Sequence, residues 1–467
     1  MYQTGKKFQI LILFMACLAM FMDAVDSSIV NIALPELALS LNSDTGTVSW
    51  VSLAYLLVIA GTVLTFGKTA DKGHLKGVFI CGFAVFTLAS AFCGFSSSLE
   101  LLLVSRVVQG AGAGMLIACA PLLCVTYLSP KMIGLSMGLI TAVSSVGFAA
   151  GPALGGVLLH FLSWHWIFLI NIPIGICAVL LALRYVPKSD RVVDEPFDFI
   201  GSILVFLMMA SCVFCLERFP HLGFSPMIIG AFLLFAVSAV LFVIRERTAP
   251  YPLMNLSVFR DWNLSFVTIA YIVVQIAGVS LLYLLPFYMS VAAGYSALLS
   301  GVLMFIPAGI TAVLGGYIGK LSDAHGRRAF VLVSLVFLLA GNILCSVMEV
   351  SFGMQPLVAA LVLLGLYWGF AGGTMSSRIV DYMPEDEKGT GSTLMVLAMY
   401  FGTVLGTAFS ASVFTFLTSG IGSAVLMADL PLETFMYGFH GTFVAAAVVG
   451  VFVMIISAVV KDRPAGE

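Results

Sequence analysis

Charge is what this chain has least of. Lys and Arg number 21 and Asp and Glu 23 in 467 residues, 9% of the total, against roughly a quarter in a soluble domain. So few charges cannot clothe a surface in water. The net charge of −2 leaves no basic face for nucleic acid and no block of like charge that would read as a tail. Also missing is a phosphate loop of the Gly-x-x-x-x-Gly-Lys-Ser/Thr type, which argues against ATP as an energy source. The six histidines, His74, His160, His165, His221, His325 and His440, do not pair with carboxylates at metal-ligand spacing, so neither a metal centre, a cofactor site nor an enzyme constellation is expected. All nine cysteines fall inside apolar runs, where Cys acts as a small hydrophobe. Cys212-x-x-Cys215 has redox spacing but lacks a second pair, and packing is its simpler role.

What the chain has instead is hydrocarbon: 61% of its residues are hydrophobic. Segments of about 20 apolar residues cross roughly 30 Å of bilayer. They fall near 8–34, 46–66, 77–95, 100–127, 132–159, 165–185, 198–217, 226–245, 263–290, 297–319, 329–348, 356–378, 391–417 and 435–460, fourteen spans of an all-α polytopic membrane protein. Lys6-Lys7 followed by an apolar run resembles a signal peptide, but the run continues past Asp26 with no small-residue cleavage site, so it reads as a retained first span. Cations should gather in cytoplasmic loops. Nineteen of the 21 lie before span one or after an even-numbered span, leaving only Arg106 within span four and Arg218 on the outer side. The span number is therefore even and both termini are cytoplasmic.

Span one contains two acids, Asp23 and Asp26, one helical turn apart on one face. A charged group in hydrocarbon costs roughly 2.5–3.5 kcal/mol on insertion scales, so an intramembrane acid marks a functional site by default. Arg106 is the one cation within a span, either snorkelling toward the interface or lying near an acid of span one. There is also an internal repeat. Gly67-Lys-Thr-Ala-Asp71-Lys-Gly-His-Leu-Lys76 and Gly319-Lys-Leu-Ser-Asp323-Ala-His-Gly-Arg-Arg328 begin 252 residues apart, and at similar offsets Gly147, Gly151 and Gly155 of span five correspond to Gly402 and Gly406 of span thirteen. Two six-span halves, 1–190 and 261–467, flank two inserted spans in 191–260, the parallel repeat of transporters that rock about a midplane site.

At these residues the chain resembles the fourteen-span drug:proton antiporters of the major facilitator superfamily. The loop signature is intact over Gly319–Arg328, while in the first half His74 and Leu75 stand where the family has Gly and Arg. Arg106-Val-Val-Gln109-Gly110 resembles the fourth-span motif, and Gly147 with Gly151-Pro152-Ala-Leu-Gly155-Gly156 the antiporter motif of span five. Val25-Asp26-Ser-Ser-Ile-Val-Asn31-Ile-Ala-Leu-Pro35, Trp166-Ile-Phe-Leu-Ile-Asn171-Ile-Pro173 and Leu285-Pro-Phe-Tyr-Met-Ser290 are similar to further segments of that branch.

The resemblance implies a major facilitator fold and export of lipophilic, cationic compounds in exchange for protons; a dedicated exporter of one metabolite, antibiotic or lipid is the alternative on the same scaffold. It implies that Asp26 and Asp23, tuned by Arg106, carry proton and substrate charge in turn. Asp71, Lys72 and Lys76, with Asp323, Arg327 and Arg328, form conformational latches. The glycine face of Gly147, Gly151, Pro152, Gly155 and Gly156 packs against a span of the other half. Asn31, Gln109, Gln275 and Asn342 could line a cavity or simply bond between helices. Tyr55, Tyr283, Phe287, Tyr288, Trp368, Met399 and Tyr400 offer an aromatic, adaptable wall to an aromatic cation, or face lipid. The expected partners are a small lipophilic substrate, protons and the bilayer of a prokaryotic cell membrane, with the chain acting as a monomer. The topology is testable by fusion: a phosphatase joined after Gly223 should be active, and one joined after Lys188 inactive. The reverse pattern would invert the assigned orientation.

Overall fold

The computed structural model describes residues 5–460 apart from 44, 189–197, 251, 254–255, 384–387 and 419–429. In hydrocarbon every backbone N–H and C=O must find a partner within its own segment, and this chain solves that with helices. Among the described residues there is no strand. In order the helices are α1 Lys6–Ser40, α2 Thr45–Thr69, α3 Leu75–Gly94, α4 Leu99–Tyr127 and α5 Pro130–Phe161. A short α6, Trp166–Leu169, leads into α7, Asn171–Tyr185; then come α8 Phe199–Leu222 and α9 Pro226–Thr248. The remainder are α10 Trp262–Phe287, α11 Ala297–His325, α12 Arg327–Ser346, α13 Gln355–Asp381, α14 Lys388–Thr418 and α15 Leu432–Val459.

Their starts follow the sequence. Ser98, Ser225 and Ser296 each accept a bond from the backbone N–H three residues on, and Asp198 does the same for Gly201, satisfying donors that a helix start leaves free. Pro130 and Pro226 occupy first turns, where a missing N–H costs nothing. Among the described residues twelve segments are long and apolar enough to cross a membrane, and one of them, Thr47–Gly94, runs 48 residues through both α2 and α3. Outward faces are as apolar as the interior: Phe92, Phe232 and Val313 are all well exposed. That inverts a soluble protein and suits lipid.

The packing repeats as the sequence does. α1 lies on α5, α3 on α4 and α7, and α2 on α4; correspondingly α10 lies on α14, α12 on α13 and α15, and α11 on α13. The two sets meet where α5 touches α11, α2 touches α14 and α1 touches α10. The inserted α8 packs on both α2 and α14, while α9 packs on α8. Thr65 of α2 donates to Ser202 of α8 at 2.6 Å, and Lys68 reaches the Pro252 carbonyl beyond α9.

The span-five glycines do not pack as the resemblance implies. A Cβ at Gly147 would lie 2.9 Å from the Phe21 carbonyl, at Gly151 2.8 Å from the Ile29 nitrogen, and at Gly155 2.9 Å from Ile29 Cγ1. All three face α1 of the same half. Contact with the other half is made instead by Pro152 and Gly156: a Cβ at Gly301 of α11 would lie 3.2 Å from Gly156 Cα. Helical spacing identifies a bare face but not the neighbour that fills it. The relation recurs in the second half, where a Cβ at Gly402 would lie 2.7 Å from the Ile272 carbonyl of α10.

The altered first loop is also resolved. Between α2 and α3 the chain turns at Gly73 with φ +102°, and between α11 and α12 at Gly326 with φ +88°. The glycine missing at position 74 is thus supplied one residue earlier, where the left-handed backbone needs it. Gly151→Leu should lower stability by about 1–3 kcal/mol through overpacking, read as thermal midpoint in detergent. Gly309→Leu, with open space around its Cα, should leave that midpoint near wild type; equal losses would contradict the close α1–α5 contact.

Candidate functional site: two buried acids on the first helix

Asp26 is completely buried and points among α3, α4 and α7. Arg106 of α4, equally buried, donates from Nη1 to Asp26 Oδ2 at 2.5 Å. Gln109 Nε2 and Asn171 Nδ2 donate to Asp26 Oδ1 at 2.8 and 2.9 Å. Gln109 also donates to Ser90 Oγ at 2.9 Å, and its Oε1 accepts from Arg106 Nη1 at 2.7 Å and from Cys93 Sγ at 3.5 Å. The guanidinium is completed by the Val51 carbonyl, 2.8 Å from Nε, and by the Tyr55 ring, whose centroid lies 3.9 Å from Cζ.

Desolvating two ions costs several kcal/mol each and is recovered only when their remaining polar atoms are satisfied. Here the carboxylate accepts three bonds and the guanidinium donates three while stacking on an aromatic face. Five helices, α1, α2, α3, α4 and α7, are pinned together by this network.

Asp23 lies one turn earlier in different company. Its Oδ1 accepts from the Tyr55 hydroxyl at 2.8 Å and its Oδ2 from the Tyr400 hydroxyl at 2.5 Å. Tyr400 belongs to α14, so this carboxylate bonds across the line between the two helix sets. Tyr55 serves both acids, its hydroxyl on Asp23 and its ring on Arg106.

The repeat sets Asn342 of α12 opposite Ser90 of α3, 252 residues apart, while α10, the counterpart of α1, carries no acid and has Gln275 in its interior. Gln275 Nε2 reaches Thr403 Oγ1 at 3.5 Å, and Asn342 Nδ2 the Leu338 carbonyl at 2.9 Å. Here the second half keeps polarity and drops the charge.

The other candidate residues are dispersed. Asn31 accepts from Ser52 at 3.4 Å. Tyr283 and Phe287 are buried with ring centroids 5.6 Å apart, and Tyr288 stacks on Phe439 of α15 at 5.0 Å. Trp368 and Met399 are half-buried. In the loops Asp71 is exposed and Lys72 half-buried, while Lys76 Nζ donates to the Leu183 carbonyl at the end of α7, at 2.9 Å. Arg328 donates likewise to the Ala458 carbonyl at the end of α15, and Arg327 pairs with Asp381. Lys76 and Arg328 are repeat equivalents, the one tying α3 to α7 and the other α12 to α15, each meeting the negative end of a helix dipole. The side chain of Asp323 lies outside the described residues.

Three contributors carried no sequence mark as site residues: Ser90, Cys93 and the Val51 carbonyl. Ser90 is traceable through its repeat partner Asn342. A backbone carbonyl has no sequence signature at all. Asn171 sits within a quoted motif, but only the fold brings it to Asp26.

Residues 16–407 match the model of the Major Facilitator Superfamily, and the chain belongs to that family of transporters. It is 30% identical over 408 residues to the riboflavin transporter RibZ of Clostridioides difficile, spanning 86% of this chain and 88% of that one. It is 29% identical over 401 residues, 84% of each chain, to MdtD of Citrobacter koseri, a protein provisionally named for multidrug resistance. Among solved structures, a bacterial homologue of the human lysosomal transporter Spinster, inward-facing and occupied, superposes with a TM-score of 0.68 at 14% identity, covering 99% of this chain and 100% of that one; this likeness shows the fold alone.

Removing one member of a buried ion pair costs about 3–5 kcal/mol, because the other is left uncompensated. Arg106→Leu should therefore lower the thermal midpoint in detergent sharply, and adding Asp26→Asn should restore much of the loss. Simple additivity of the two losses would show that the pair is not energetically coupled.

Proposed function

We propose that the chain is a proton-coupled antiporter that exports lipophilic, cationic compounds from the cytoplasm of a prokaryote by alternating access. The observation that carries this reading is a pair of membrane-buried acids one turn apart, one ion-paired to Arg106 and the other bonded to both helix sets. Charge so deep in hydrocarbon is retained for use. When the site faces outward, an acid takes up a proton and a bound cation leaves. When it faces inward, loss of the proton restores an anion that attracts the next cation, since Coulomb attraction is strong in a low dielectric. Proton and substrate thus compete for one charge, and the proton gradient drives export. Asp26, Asp23 and Arg106 form the coupling group; Asp71, Lys72, Lys76, Asp323, Arg327 and Arg328 the latches; and the span-five motif sets the antiporter mode.

The same proposal places fourteen spans in the bilayer with both termini cytoplasmic, as a monomer. Support for fourteen comes from the turn at Gly73, which divides the 48-residue apolar stretch into two helices, and from α5, 32 residues long. The bundles are 1–190 and 261–467, with the two additional helices in 191–260.

A second reading stands beside it: a dedicated exporter of one metabolite, supported by the riboflavin transporter among the relatives. Reconstituted vesicles separate the two. Ethidium should drive proton flux in wild type, and Asp26→Asn and Asp23→Asn should each reduce it. Flux with riboflavin but with no lipophilic cation would move the assignment to the dedicated exporter, and transport of either without proton movement would remove antiport.

A further inference from the structure

Coupling requires that a proton or cation bind with different strength in the two arrangements of the transporter; a site whose surroundings do not change on rocking shifts nothing. The two acids differ in just this respect. Every bond to Asp26 comes from α4 or α7, which share the first helix set with α1. Rocking one set against the other leaves those bonds in place. Of the four carboxylate oxygens of Asp23 and Asp26, Asp23 Oδ2 is the one whose partner, the Tyr400 hydroxyl, comes from α14.

We infer that Tyr400 is a positioning residue which makes Asp23, rather than Asp26, the carboxylate whose affinity for proton or cation follows the relative placement of the two halves. The inference rests on the antiport reading for its consequence, but the bond itself does not. With the halves joined at this point, Asp23 is held by two phenols, one from each side. Once α1 and α14 part, Oδ2 loses its donor and is open to a proton or to an N–H or ammonium group of a substrate. Tyr55 stays with Asp23 in both arrangements, because α2 lies in the first half. The ionisable groups acting on Asp23 are Asp26 of its own helix, Tyr55 of α2, Arg106 of α4 and Tyr400 of α14. Tyr271 of α10 acts in turn on Tyr400. The other helices packed on α1, namely α5, α6, α7 and α11, contribute no such group among the described residues. Asp26 and Arg106 together form a neutral pair beneath this site. Asp23 with its two phenols is the part that can change.

The test uses nitroxide pairs at both ends of α2 and α14 in the full chain in nanodiscs, attached through a genetically encoded keto amino acid so that the nine cysteines remain. Inter-label distances then give the ratio of separated to joined halves as a function of pH. Tyr400→Phe keeps the ring and removes only the hydroxyl. Loss of a bond to a charged acceptor should shift the ratio toward separation about tenfold or more at pH values where Asp23 is ionised. Asp23→Asn should abolish the response of the ratio to pH, and Glu36→Gln, at an exposed acid of the same helix, should keep it. The inference falls if Tyr400→Phe leaves the ratio unchanged, or if Asp23→Asn retains the wild-type response. Proton flux is measured separately. Wild-type flux together with an unaltered Tyr400→Phe ratio would leave antiport standing and remove this role for Tyr400. A shifted ratio with no flux would do the reverse.

Discussion

A carboxylate and a guanidinium share hydrocarbon only if nearly every polar atom between them is bonded, and that requirement organises the first half of this protein. Arg106 needs Asp26, the Val51 carbonyl, Gln109 and an aromatic face. Asp26 needs Gln109 and Asn171 as well. Meeting those demands requires α1, α2, α3, α4 and α7 to converge at one depth. The charges set the geometry of the bundle as much as the bundle shelters the charges.

The second half shows what happens without that requirement. Its helices pack in the same order, and its loops turn at an equivalent glycine. Yet its first helix, α10, carries no acid. Both buried acids, Asp23 and Asp26, lie on one side, and the other side bonds to one of them. Tyr400 makes that bond. The asymmetry leaves both buried acids in one helix set and one of their hydrogen-bond donors in the other.

The membrane explains why small residues matter so much between helices. Lipid is as apolar as leucine, so burying side chains gives helices little reason to associate; close backbone approach and polar bonds do that work. Gly147, Gly151 and Gly155 bring α5 onto α1, setting the helix that carries both acids against a rigid neighbour. Pro152 and Gly156 of the same helix then face α11. One helix therefore touches both the acid-bearing span and the opposite half, a physical path by which the two could influence each other.

Much of this could be read from composition and pattern. The polytopic helical fold followed from hydrocarbon-length runs, and the repeat from two loops 252 residues apart. Asp23, Asp26 and Arg106 stood out because charge within such runs is costly wherever it falls, a property of residue type and local position. What the tertiary structure decided was partnership. Asp23 and Asp26 share a helical face one turn apart, so nothing in their spacing assigns Arg106 to one and Tyr400 to the other. Asn171 and Ser90 reach the network from distant segments, and Tyr400 meets Asp23 across 377 residues of chain. The glycine face of α5 was evident as a face, but its neighbour was not. Sequence periodicity describes one helix at a time, whereas the choice of contacts depends on how all the helices fill the same space.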